Sequence, residues 1–211
     1  MNLILLGSPG SGKGTQSKML AEKLGIEQLS TGDILRDAVK NGTEEGKKAE
    51  SYMKQGVLVP DDLITSIVIK KISNAKNGFI LDGFPRNIHQ AESLDKVLTV
   101  DHVFFIKVDD DVIIDRLSNR LTCRACHNTF RKSEVMDNTC PVCHSDKLYI
   151  REDDREAVIK KRLEIYYKET YPLVEYYRKK AILITIDGND DIFTINTNIN
   201  NKIKITPVNK K

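Results

Sequence analysis

Nine residues near the N-terminus, Gly7-Ser8-Pro9-Gly10-Ser11-Gly12-Lys13-Gly14-Thr15, restrict the fold of this chain more than any other stretch. An apolar run, Leu3-Ile4-Leu5-Leu6, precedes them, and a helical pattern carrying Met19, Leu20 and Leu24 follows. A strand, a glycine-rich turn and a helix N-terminus together make a cradle for phosphate. Glycines let backbone N–H groups converge on phosphate oxygens, the helix dipole favours their negative charge, and Lys13 reaches the outer phosphates. A flexible surface loop would need neither the strand before it nor the helix after it.

The usual P-loop ends Lys-Ser/Thr, and that hydroxyl ligates Mg²⁺. Here Gly14 follows Lys13 and the hydroxyl arrives one residue later, at Thr15. This spelling points to Mg²⁺ held by phosphates and water, with help from a carboxylate elsewhere. Asp82, directly after the buried-strand candidate Phe79-Ile80-Leu81, stands where a P-loop protein places that acid. Gly83-Phe84-Pro85-Arg86 then turns the chain and aims a guanidinium at the same cleft.

The remaining pattern alternates short apolar strands with amphipathic helices. Ser30-Thr31-Gly32-Asp33 opens a helix with Ile34, Leu35 and Val39 on its apolar face, and Asn41-Gly42 stops it. Thr43-Glu44-Glu45 caps a second helix through Met53. After the extended connector Gly56-Val57-Leu58-Val59-Pro60, a third helix carries Leu63, Ile64, Ile67, Val68 and Ile72. A fourth is marked by Ala91, Leu94, Val97 and Leu98. Val103-Phe104-Phe105-Ile106 and Ile182-Leu183-Ile184-Thr185-Ile186 read as strands, with one long charged helix over residues 154–179 before the last. Such alternation gives an α/β fold with a parallel sheet, whose ligands sit at the carboxyl ends of the strands. The Asn- and Lys-rich tail from about Asn196 carries no readable signal and is expected to fray.

Residues 121–150 break this rhythm and contain all four cysteines, spaced C-x₂-C-x₁₃-C-x₂-C as Cys123, Cys126, Cys140 and Cys143. Each pair forms a knuckle presenting two thiolates to one tetrahedral Zn²⁺, and four cysteines leave no open position for catalysis. A structural zinc site in a small insertion follows. Net charge is +3 (33 basic minus 30 acidic residues), too small to argue for nucleic acid or a membrane surface. No apolar run approaches the ~20 residues of a membrane span. Met1-Asn2-Leu3 runs straight into the first strand, so no signal peptide is expected and the cytosol is the expected location.

Taken in order, the motifs at 7–15, 30–33 with Arg36, 56–61, 82–86, the knuckles, and Arg151-Glu152-Asp153-Asp154 with Arg162 resemble the adenylate kinase family in its long-lid, zinc-binding form. The resemblance covers residues 1 to about 191. It implies an α/β P-loop nucleoside monophosphate kinase fold, a parallel five-stranded sheet flanked by helices with a small zinc-containing lid insertion. It divides the chain into a core (1–29, 60–120 and 155–211), an AMP-binding flap (30–59) and a lid (121–154). Catalytic residues implied are Lys13, Arg86, Arg120, Arg151 and Arg162. ATP is implied at Gly10, Ser11, Gly12, Lys13, Gly14, Thr15, Arg120, Thr129, Phe130 and Asn189. AMP is implied at Thr31, Arg36, Val57, Leu58, Val59, Gly83, Phe84, Pro85, Arg86, Gln90, Arg151 and Arg162, with Gln90 suited to a base edge because an amide both donates and accepts. Asp82 would hold Mg²⁺ through water. Partners implied are ATP, AMP and ADP, with no nucleic acid, no membrane and a monomeric chain. Departures from the family pattern are Asn119-Arg120-Leu121 for a frequent Gly-Arg-Arg, His127 for a Gly, and Phe130 for a Tyr.

Two other readings compete. A UMP, CMP or GMP kinase shares the fold, but Thr31, Gln90 and the long lid favour AMP. A zinc-ribbon protein binding nucleic acid would need a basic groove with stacking aromatics, and the net charge of +3 and the scarcity of aromatics near the knuckles argue against it.

Overall fold

The structure is a computed structural model and describes residues 1–205. Strand β1 (Asn2–Leu6) enters the phosphate-binding turn, and α1 (Lys13–Leu24) leaves it. There follow β2 (Glu27–Ser30), α2 (Thr31–Lys40), α3 (Glu44–Lys54), α4 (Asp61–Ile72), β3 (Phe79–Asp82), α5 (Ile88–Asp95), β4 (His102–Lys107) and α6 (Asp110–Ser118). The cysteine segment forms β5 (Arg120–Cys123), β6 (Thr129–Arg131) and β7 (Leu148–Tyr149). The chain then runs through α7 (Glu156–Ile165), α8 (Pro172–Lys179), β8 (Leu183–Asp187) and α9 (Ile192–Ile205).

The five-stranded parallel sheet implied above is present, in the order β2-β3-β1-β4-β8. Strand β1 is apolar on both faces because helices cover both. Ile4 and Leu6 pack into the layer with α2, α4, α5 and α8, while Leu3 and Leu5 pack into the layer with α1, α6, α7 and α9. The chain moves to one side of β1 after α1 and to the other after β3. The carboxyl end of β1 therefore lies at the switch point where α/β sheets leave a crevice. Strands β6-β5-β7 form a separate antiparallel sheet that carries the cysteines.

The local spelling explains most boundaries. Ser30 Oγ accepts from the Asp33 N–H at the start of α2, and Thr43 Oγ1 from the Gly46 N–H at the start of α3. Gly46 also lets α3 lie against α2, since a Cβ there would stand 2.2 Å from the Ala38 carbonyl oxygen.

Four expectations need correction. Strand β2 was not anticipated, because Glu27-Gln28-Leu29-Ser30 holds a single apolar residue; parallel pairing with β3 makes it a strand. Helix α5 stops at Asp95, leaving Val97 exposed rather than on a buried face. The single helix expected over 154–179 is interrupted by a π-helical turn, Tyr166–Thr170, closed by the Tyr171 N–H on the Tyr166 carbonyl at 2.8 Å. Pro172 follows as the first residue of α8; it has no N–H to give and its ring cannot pass the carbonyl four residues back, so the helix restarts. Finally, much of the tail expected to fray is α9. Ile195 and Ile199 are buried against the core, each burial stabilising by roughly 1.5–3 kcal/mol. The rest of that tail, residues 206–211, lies outside the described residues. Among the described residues no helix is long and apolar enough to cross a membrane.

Candidate active site

Lys13 begins α1, and Gly12 caps it in the left-handed region at φ 94°, a conformation that favours glycine. The Lys13 ammonium folds back over its own loop, donating to the Gly7 and Ser8 carbonyls at 2.7 Å each and to Ser11 Oγ at 3.4 Å. The buried Asp82 ends β3, paired in register with Leu5 of β1. Gly14 makes room for it: a Cβ on Gly14 would stand 3.4 Å from Asp82 Oδ2. Desolvation in the cleft pulls the Lys13 pKa down to about 8, against the opposing pull of Asp82. Desolvation likewise pushes the Asp82 carboxyl above its ordinary value, against the influence of Lys13.

These residues floor one cleft of about 1370 Å³, beyond the ~300–1,000 Å³ of a single small-molecule site. Lys13, Arg36, Arg86, Arg120, Arg151 and Arg162 all line it. Each guanidinium is held. Arg120 grips Asp154 in a two-point bond (2.8 and 2.5 Å), and Arg162 meets Asp153 at 2.9 Å and Asp154 at 3.2 Å. Arg36 binds Asp33 at 2.5 Å, Arg151 Nε donates to Thr122 Oγ1 at 2.9 Å, and Arg86 Nε to the Gly83 carbonyl at 2.8 Å. Desolvation and then the charge of Arg120 pull Arg151 down to about 10; Arg162 and Arg86 are lowered too, first by desolvation. Burial works to raise Asp153, but Arg162, Arg120 and Arg151 hold it below its ordinary value. Cations that discourage one another's charge accept an anionic ligand with several oxygens.

On the flap side, Thr31, Val57, Leu58, Val59, Gly83, Pro85 and Gln90 also line the cleft. Thr31 Oγ1 bonds to the carbonyls of Asp82 (3.2 Å) and Gly83 (2.9 Å), tying α2 to the β3 turn. One assigned residue is placed differently from expectation. Phe84 does not line the cleft: its side chain is 1% exposed and packs in the core with Leu81 and Leu94. Gln90 lines it, but its amide is already anchored, accepting from the Arg86 N–H at 2.7 Å and donating to Asp61 Oδ1 at 2.6 Å. Its amide thereby ties the Arg86 turn to Asp61.

Gly10, Ser11, Gly12, Gly14, Thr15, Thr129, Phe130 and Asn189 line the same cleft. The Asn189 carboxamide closes on Asp109, accepting from its N–H at 3.2 Å and donating to Oδ2 at 3.1 Å.

The four cysteine sulfurs lie within 4.8 Å of one another, with Cys123–Cys143 and Cys126–Cys140 at 3.6 Å. Tetrahedral Zn²⁺ with bonds of ~2.3 Å sets its sulfurs about 3.8 Å apart, so the donor set fits zinc, whereas disulfides need ~2.05 Å. His127 and His144, each following a knuckle's second cysteine, adopt φ 59° and 58°. Their N–H groups bond the Cys123 and Cys140 carbonyls at 3.1 and 2.9 Å, closing two like turns.

Several cleft residues escaped sequence reasoning. Arg116 lies one helical turn before Arg120 and lines the cleft; recognising the acid-rich α6 as a helix would have found it. Lys18 and Asn128 also line it and meet through a hydrogen bond between elements distant in sequence, which leaves no local signal.

Comparison with known proteins agrees with this geometry. The family model described as adenylate kinase matches residues 5–182. The chain is 48% identical over 202 residues to the adenylate kinase of Caldicellulosiruptor saccharolyticus, covering 91% of this chain and 94% of that one. It is 49% identical over 197 residues to that of Geotalea daltonii (89% and 92%), and 44% identical over 214 residues to that of Thermosipho africanus (97% and 100%). The phosphate cradle, the ring of arginines and these matches across nearly the whole length place the chain in the adenylate kinase family.

Proposed function

We propose that the enzyme transfers the γ-phosphoryl group of Mg·ATP to AMP, reversibly, giving two ADP. The observation that carries this reading is the convergence of Lys13, Arg36, Arg86, Arg120, Arg151 and Arg162 on one cleft that also holds the glycine cradle. Residues 10–15 would hold the ATP phosphates, with Thr129, Phe130 and Asn189 along the nucleoside. Thr31, Arg36 and residues 57–59 would surround AMP, and Arg86 would take its phosphate. Arg120, Arg151 and Arg162 would exchange their carboxylate and hydroxyl partners for the transferring phosphoryl group.

The AMP phosphate is already an anion at neutral pH, so no general base is required. Lys13 would leave its loop carbonyls for the oxygens between donor and acceptor, and the arginines would match the charge spread over the equatorial oxygens. Closing the flap (30–59) and the lid (121–154) would exclude water, which otherwise competes as acceptor. Asp82, buried beside Gly14, fits the role of holding Mg²⁺ through water; when bound, that ion neutralises phosphate charge. The four thiolates fit structural Zn²⁺, which they would enclose with no coordination position open to a substrate.

Acceptor choice is tested by comparing AMP, UMP, CMP and GMP with ATP as donor. AMP is expected to give the highest kcat/KM; an equal or higher value with another acceptor would overturn the assignment.

Lys13 also sets a pH dependence. In the free enzyme it loses its proton as pH rises through about 8. ATP oxygens beside it would stabilise the charged form, so binding above about pH 8 takes up a proton and weakens as pH rises. Titration calorimetry at pH 8.5 in buffers of different ionisation enthalpy should show uptake of a fraction of a proton, and no uptake would sink the assignment of Lys13 to the phosphates.

A further inference from the structure

The first knuckle does more than hold metal. Lys18, on α1 one turn beyond the phosphate cradle, donates to Asn128 Oδ1 at 2.9 Å across 110 positions of sequence. The other end of the same carboxamide donates to Cys126 Sγ at 3.2 Å, and the Asn128 carbonyl accepts from the Cys123 N–H at 3.0 Å. Bonding to a sulfur of the metal set fixes which end of the amide faces α1. The neighbouring His127 lies with Nε2 3.8 Å from Asp37 Oδ1 on α2, and it keeps a left-handed backbone unusual for a side chain of its size. Lys18, His127 and Asn128 all line the cleft.

We propose that Asn128 is a positioning residue that docks the lid onto α1 through Lys18, so that an intact metal knuckle sets how firmly the lid closes over ATP. The inference rests on the reading that residues 121–154 cover ATP. Two groups of the same knuckle prepare the asparagine before closure: the Cys123 N–H fixes its backbone carbonyl and the half-buried Cys126 sulfur orients its carboxamide. Little side-chain entropy is then lost when it meets Lys18. Lys18 needs no contact with ATP for this; its bond stabilises only the closed form, and ATP affinity rises by the population it shifts.

The zinc-loaded enzyme tests this in a double-mutant cycle of Asn128→Ala and Lys18→Met, read by ATP Kd from calorimetry. Each single variant should raise the ATP Kd about fivefold, the effect of losing one hydrogen bond of ordinary net strength. The double variant should be no weaker than the worse single, and Lys18→Arg, which keeps a donor, should stay within twofold of the parent. AMP KM should move less than twofold in all of them.

A second readout is zinc release to a chelator. Saturating ATP should slow it in the parent and not in Lys18→Met, a variant that leaves the knuckle intact and decides the matter if Asn128→Ala loses metal. An unchanged ATP Kd in Lys18→Met, or a double variant about 25-fold weaker, would overturn the docking role. If the parent enzyme itself binds no ATP, the underlying reading fails; if it binds and Lys18→Met binds equally well, only the docking proposal fails.

Discussion

Lys13→Met is expected to lower kcat by about 10²–10³-fold, or ~2.7–4 kcal/mol of transition-state stabilisation, as when one oxyanion donor is lost. The ammonium lies on the floor of the cradle, 2.7 Å from two loop carbonyls that would release it to phosphate. Methionine keeps the length and the apolar stem but supplies no charge. The fold should survive, because Gly7 and Ser11 border the cleft, from which water can reach the acceptors that the lysine leaves. Steady-state kinetics with saturating ATP and AMP, alongside a thermal melt, checks both halves. A near-normal kcat would remove Lys13 from the mechanism.

The second large effect is on stability. Stripping zinc with a chelator, or replacing Cys123 with serine, should cost the lid its fold. The β5–β7 sheet is short, and around it Met136, Val142 and Ile150 lie exposed, so little apolar burial remains without the metal. A loss of about 3–5 kcal/mol, well below the ~10–16 kcal/mol of an isolated zinc module, would lower Tm by roughly 6–20 °C for a chain of this size. Below the lowered Tm, phosphoryl transfer should persist within an order of magnitude, since the thiolates touch no reacting atom. An unchanged melt on metal loss, or abolished turnover without a change in melt, would contradict a structural role.

What was legible beforehand follows from how local each signal is. The phosphate cradle, the caps at Ser30 and Thr43, and the cysteine spacing are each written within a few residues, and each was readable. Strand β2 was not, because Leu29 alone among its four residues is buried and the hydrogen bonds that define it come from β3. The π turn was hidden because the charged pattern continues through it and only Pro172 marks the break. Helix α9 was obscured by its asparagines, although Ile195 and Ile199 stand at the helical interval of four that buries one stripe. For the site, the resemblance supplied residues but not their partners. Gln90, assigned to a base, lines the cleft and also bonds the Arg86 N–H, while Phe84 is a core side chain.

The sequence by itself determined that a phosphate cradle lies near the N-terminus, that a parallel α/β sheet supports it and that four cysteines gather at the spacing of one metal site. These depend on backbone conformation, period and spacing, all properties of neighbouring residues. Only the tertiary structure decided which of many arginines face the cleft, that Asp153 and Asp154 keep Arg120 and Arg162 in place, and that Asn128 reaches Lys18. Those choices depend on distances between elements far apart in the chain, where an arginine on the surface and one beside a phosphate are spelled alike.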